Sequence, residues 1–143
     1  DILITIACAF AISKAMVNSG VADAVAKYII GLTEHYGPQV LLAAVFIITN
    51  LFTELITNNA AAALAFPLAL SISSQLGVSP MPFFVVICMA ASASFSTPIG
   101  YQTNLIVQGI GNYKFTDFVR IGLPLNIITF LISIFLIPLI WPF

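Results

Sequence analysis

Thr53-Glu-Leu-Ile-Thr-Asn-Asn59 places a carboxylate, two hydroxyls and two carboxamides within seven residues, while Tyr36 to Thr53 and Leu55 to Tyr113 carry no charge. Glu54 is thus a lone carboxylate deep in an apolar region. A second polar run, Ser96-Thr-Pro-Ile-Gly-Tyr-Gln-Thr-Asn104, follows the apolar Phe83 to Phe95. These residue types do not make an enzyme: a phosphate loop, a His/Cys/Asp ligand spacing and a nucleophile elbow are all missing. What they can do is bind ions. Thr53 to Ile56, ending one helix, offers carbonyls and a hydroxyl that favour a cation. Asn58 or Asn59, capping the next helix, leaves free amides at the positive end of a helix dipole, which favour an anion. Glu54 has two readings, an ion-coupling carboxylate or a structural acceptor that orients the tip through backbone amides.

The elements that must position these groups lie in a membrane. The chain of 143 residues is 61% hydrophobic and 6% charged, against roughly 25% charged in a soluble domain. Four basic residues against five acidic ones exclude a nucleic-acid binder. Cys8 and Cys88 sit alone in apolar runs and are expected to be small core residues. Without an initiator methionine or a signal peptide, the chain is expected to be the later part of a longer protein.

Residues 1–35 are expected to hold the end of a scaffold helix, Ile2 to about Val17, and an amphipathic helix in the interface. In the latter, Val21, Ala24, Val25, Tyr28, Ile29 and Leu32 form the apolar stripe and Asp23 pairs with Lys27. Thr33 to Pro38 reads as a water-exposed loop, with His35 a loop residue. Residues 36–112 form the transport part. Gln39 to Leu76 could be two spanning helices, yet its connection has no glycine or proline, which favours a re-entrant hairpin whose tip stops inside the protein. The segment 83–111 reads as a helix broken at Pro98 and Gly100, with Leu105 to Ile110 a short helix. Five polar side chains in nine residues exceed what a proline kink needs. Ser92, Ser94 and Ser96 are expected to permit close helix packing. Residues 113–143 hold a last spanning helix, Ile121 to Trp141, with Pro124 in its first turns. Two broken segments meeting at a polar site point to a secondary transporter.

The hairpin tip followed by an alanine run, and the break Thr97-Pro-Ile-Gly-Tyr-Gln-Thr-Asn104, together resemble the C-terminal half of the divalent anion/sodium symporter family. The resemblance covers essentially the whole chain. It implies an all-α integral membrane protein, one inverted repeat of an elevator-type transporter with a re-entrant helical hairpin and a discontinuous transmembrane helix. By position it implies that Thr53, Ile56, Asn58 and Gly100 hold a sodium ion, and that Asn58, Asn59, Thr57, Thr103 and Asn104 face the anion. The implied partners are a small divalent anion, the missing N-terminal repeat and a second copy, in a multi-pass cell-membrane protein. The tip reads Thr-Asn-Asn where the family carries a hydroxyl third, and Gln102-Thr103 stands where dicarboxylate members have two prolines. Both changes add hydrogen-bond donors, which suits sulfate, so the protein most resembles the sulfate-type permeases. A dicarboxylate substrate and a cation/proton antiporter using Glu54 are the competing readings, and a membrane assembly subunit is the third class.

Overall fold

The computed structural model describes residues 2–33 and 37–143, and the described residues form seven helices without strands. α1 (Ile2–Asn18) and α2 (Val21–Thr33) are followed by α3 (Pro38–Leu55) and α4 (Asn58–Leu76), a helical hairpin whose limbs pack on each other across a two-residue connection. α5 (Met81–Ser92) and α6 (Gln102–Gly111) are separated by a non-helical break over residues 93–101, and α7 (Phe115–Ile140) follows. α3, α4 and α7 are long and apolar enough to cross a membrane.

Local chemistry sets most boundaries. Pro38 opens α3 at a position where a missing amide costs little. Two β-branched residues, Ile56 and Thr57, take extended backbone at the tip (φ −132° and −69°) and end the helix there. The alanine run then restarts it. α4 ends at Gly77 in the left-handed conformation (φ 66°), with Val78 N–H returning to the Ser73 carbonyl at 3.1 Å, the six-to-one bond that closes a helix C-terminus. At the start of α7, Asp117 Oδ2 accepts from the Lys114 amide at 2.8 Å, so this carboxylate caps the helix.

The core joins α3, α4 and α5 through Leu42, Val45, Phe46, Ala65, Ile72, Phe83 and Val86. α7 adds Ile137 and an edge-on contact of Phe130 with Phe46, ring centroids 5.3 Å apart. α1 and α2 pack on α4. Along α7, Leu131, Ile132, Phe135, Leu136 and Leu139 are exposed, as expected of a helix whose outer face meets lipid or other protein.

Several expectations need correction. The buried face of α2 is Ala22, Ala26 and Ile29, while Val21, Val25 and Tyr28 point outward. Two of these three are alanines, which take little room where α2 packs on α4, and Ile29 of the expected stripe is buried with them. Asp23 accepts a hydrogen bond from Ser71 of α4, and no ion pair with Lys27 forms among the described residues. Cys8 and Cys88 are both exposed on this chain, not core residues. α7 begins six residues before Ile121, so Pro124 lies well inside it. The expected loop residues Glu34 and His35 fall outside the described residues.

Candidate functional site

The hairpin tip, the break between α5 and α6, and the middle of α7 meet in one polar cluster. Thr53, fully buried near the end of α3, has its hydroxyl 2.7 Å from both Asn58 Oδ1 across the tip and the Ala91 carbonyl at the end of α5. One hydroxyl hydrogen serves one of these acceptors at a time. When it goes to Ala91, the Thr53 hydroxyl oxygen and the Asn58 carboxamide oxygen are two acceptors 2.7 Å apart. The Thr53 carbonyl accepts from Ser94 Oγ at 3.1 Å, and the Glu54 carbonyl from Thr97 Oγ1 at 2.7 Å.

Gly100 seats the break on the tip. A Cβ there would stand 1.9 Å from the Thr53 carbonyl oxygen and 2.2 Å from Ser94 Oγ, so the close approach requires glycine. On the far side, a Cβ on Gly122 of α7 would stand 2.0 Å from the Phe95 carbonyl oxygen. The break is therefore held between α3 and α7 by two glycines. Asn104 braces it internally, its amide donating to the carbonyls of Ser94 at 3.0 Å and Thr97 at 3.2 Å. Asn50 adds a bond from Nδ2 to the Ala93 carbonyl at 2.6 Å.

Glu54 is buried, 7% exposed. Its Oε1 accepts from the Ser96 amide at 3.0 Å and from Asn126 Nδ2 at 2.7 Å, and the same Asn126 nitrogen lies 2.8 Å from Ser96 Oγ. Its partners are thus in the broken helix and in α7 rather than among the tip's own amides.

Of the residues expected to bind a cation, Thr53, Asn58 and Gly100 are brought together, and Ile56 follows Thr53 by three residues with its carbonyl engaged in none of these bonds. Of those expected to face an anion, Thr57, Asn59 and Thr103 are exposed, and Asn58 and Asn104 are half-buried. The helix cap of α4 is Thr57 rather than Asn58 or Asn59, and it makes no side-chain cap bond. The expected open carbonyls of Thr53 and Glu54 are instead satisfied by Ser94 and Thr97.

Sequence reasoning missed Asn126 and the bonding role of Ser94. Asn126 is a lone carboxamide in an apolar run, a signal of the same kind as Glu54. Ser94 and Ser96 alternate toward the break, and their hydroxyls bond across helices instead of merely sparing volume. A cleft of about 880 Å³ between α6 and the start of α7 is lined mainly by apolar side chains such as Val107, Phe118 and Leu125. It shares Phe95 and Asn104 with the break but none of the tip residues, so the polar cluster, not the cleft, defines the site.

The chain matches the citrate transporter family model over residues 1–142. It is 40% identical to an uncharacterized transporter of Synechocystis over 99% of its own length and 23% of that protein. A sodium/sulfate cotransporter of Chlamydomonas reinhardtii is 38% identical over 96% of the chain and 16% of the relative. A sodium-dependent dicarboxylate transporter of Staphylococcus saprophyticus is 25% identical over 99% of the chain and 27% of the relative. The chain spans about a quarter or less of the length of these relatives. With three helices long and apolar enough to cross a membrane among its described residues, the chain belongs to the citrate transporter family, among the divalent anion/sodium symporters.

Proposed function

We propose that the intact protein imports a divalent anion, sulfate, coupled to sodium, with this chain supplying one jaw of the site. The observation that carries the reading is the tip joined to the break: Thr53 Oγ1 2.7 Å from Asn58 Oδ1, with Gly100 against the Thr53 carbonyl. Thr53 by its hydroxyl, Asn58 by its amide oxygen, and Ile56 and Gly100 by their carbonyls hold the sodium ion. Beside it, the uncapped amides opening α4, with Thr57, Asn58 and Asn59, receive the anion. Thr103 closes the pocket, and Asn104, its amide engaged within the break, positions that wall. Sodium and anion attract each other across a few ångströms, so each raises the other's affinity by the same factor.

The depth of the tip supports a re-entrant hairpin. It meets α7 at Asn126, the twelfth of twenty-six residues, close to the midpoint of the longest spanning helix. The exposure of Thr57, Asn59 and Thr103 supports a second jaw from a preceding inverted repeat. Two such repeats form a transport domain that moves elevator-fashion against a dimeric scaffold in the cell membrane, residues 1–35 belonging to that scaffold. Sulfate rather than a dicarboxylate is supported by the donors of Asn59, Gln102 and Thr103, and by closer similarity to the sodium/sulfate cotransporter, 38% against 25%.

The test is uptake by the intact transporter in proteoliposomes. Sulfate should accumulate under an inward sodium gradient, succinate should compete weakly, and Asn58→Ala should raise the sodium concentration needed for half-maximal uptake. Equal sulfate uptake in choline, or a preference for succinate, would overturn the corresponding part.

A further inference from the structure

Behind the tip lie two acceptor atoms that no described residue satisfies. Glu54 Oε2 and Asn126 Oδ1 are buried, on side chains each 7% exposed, and neither accepts a hydrogen bond from the described residues. Both belong to one bonded pair, Asn126 Nδ2 to Glu54 Oε1 at 2.7 Å. They are therefore no farther apart than that bond plus the widths of a carboxylate and an amide.

The orientation of Asn126 is forced. Its nitrogen must face the carboxylate and Ser96 Oγ, because a flipped amide would set oxygen against oxygen, so Oδ1 is left as a pure acceptor. Ionised Glu54 is likewise a pure acceptor at Oε2. A buried carboxylate needs a compensating charge as well as hydrogen bonds, and the more so within a bilayer. Among the described residues the nearest basic side chain along α7 is Arg120, exposed and about 9 Å of helix rise from Asn126.

We propose that Glu54 Oε2 and Asn126 Oδ1 together bind a monovalent cation, sodium, at a position distinct from the tip ligands. Oxygen-only ligands, one charged and one neutral, suit a small hard cation. Such an ion neutralises the buried carboxylate, and it ties α7 to the hairpin only while sodium is present. The proposal deepens the sodium-coupled reading above and rests on it.

The experiment is thermal unfolding of the intact transporter in detergent as sodium replaces choline, for wild type, Asn58→Ala, Glu54→Gln and the double variant. Glu54→Gln is nearly isosteric. Its amide can donate to Asn126 Oδ1, so folding in choline should be undisturbed while the sodium-induced rise in Tm shrinks. Asn58→Ala should retain the part of the rise that Glu54→Gln loses, and the double variant should show none. A Glu54→Gln protein with the wild-type sodium response overturns this site and leaves the tip reading intact. An unaltered response in Asn58→Ala overturns the tip reading alone.

Discussion

Gly100→Ala is the sharpest perturbation the structure offers. The added Cβ would stand 1.9 Å from the Thr53 carbonyl oxygen, 1.5 Å inside the 3.4 Å of ordinary contact (3.4 − 1.9), and 2.2 Å from Ser94 Oγ. Thr53 O is backbone in a buried helix end, so relief must come from moving the break away from the tip. A displacement of that size breaks the Ser94–Thr53 bond of 3.1 Å and strains the Thr97–Glu54 bond of 2.7 Å. Overpacking costs about 1–3 kcal/mol, and an interhelical hydrogen bond in a membrane adds about 0.6–1.7 kcal/mol. The sum, roughly 1.6–4.7 kcal/mol, falls on the geometry of the proposed sodium ligands, and each ~1.4 kcal/mol is tenfold in a binding constant. The sodium concentration for half-maximal sulfate uptake should therefore rise at least ~10-fold, measured in proteoliposomes at saturating sulfate. Gly109→Ala is the control, since its Cβ meets nothing within 4 Å, and a helical alanine gains up to about 1 kcal/mol over glycine. Gly100→Ala with an ordinary sodium half-saturation and an unchanged Tm would refute the idea that the break is seated on the tip.

Three further outcomes follow from the same cluster. Gly122→Ala presses on the Phe95 carbonyl from the opposite side, and should lower Tm as Gly100→Ala does, by about 1–3 kcal/mol of stability in chemical denaturation. Asn126→Leu removes one of the two donors to Glu54 Oε1 and leaves it the Ser96 amide; it should cost about 1.5–3 kcal/mol, read as a fall in Tm. Asn50→Ala removes the donor to the Ala93 carbonyl and should cost about 1 kcal/mol, visible as a small Tm decrease with sodium affinity nearly unchanged.

The hairpin and the break were legible because membrane sequences are nearly all apolar, so a polar run marks where the backbone leaves a helix. Tip boundaries came within a residue or two, since Asn58 and the alanine run leave little choice of helix start. The apolar stripe of α2 was not legible: periodicity reports hydrophobicity, while helices in lipid select partners by size, and Ala22 and Ala26 won over Val21 and Val25. Cys8 and Cys88 misled for a related reason, because an apolar environment in the membrane does not require burial within one chain. The start of α7 was set too late because Lys114, Asp117 and Arg120 were read only as surface markers, when Asp117 caps the helix. The partners of Glu54 lie 42 and 72 residues away, a long-range pairing that no local pattern encodes.

The cluster also explains why its polarity is lopsided. Backbone groups freed at this depth must find partners within the protein, and this chain supplies side-chain donors to its freed carbonyls: Ser94 to Thr53, Thr97 to Glu54, Asn104 to Ser94 and Thr97, Asn50 to Ala93. The opposite service is withheld. Neither Thr57 at the start of α4 nor Tyr101 at the start of α6 makes a side-chain cap bond, and these two helix starts flank the same contact of Gly100 with Thr53. Amides at both starts are left for something else to satisfy, although Thr57 is a residue type able to cap. A cluster built for rigidity alone would have capped them, and open donors are what the proposed anion would need.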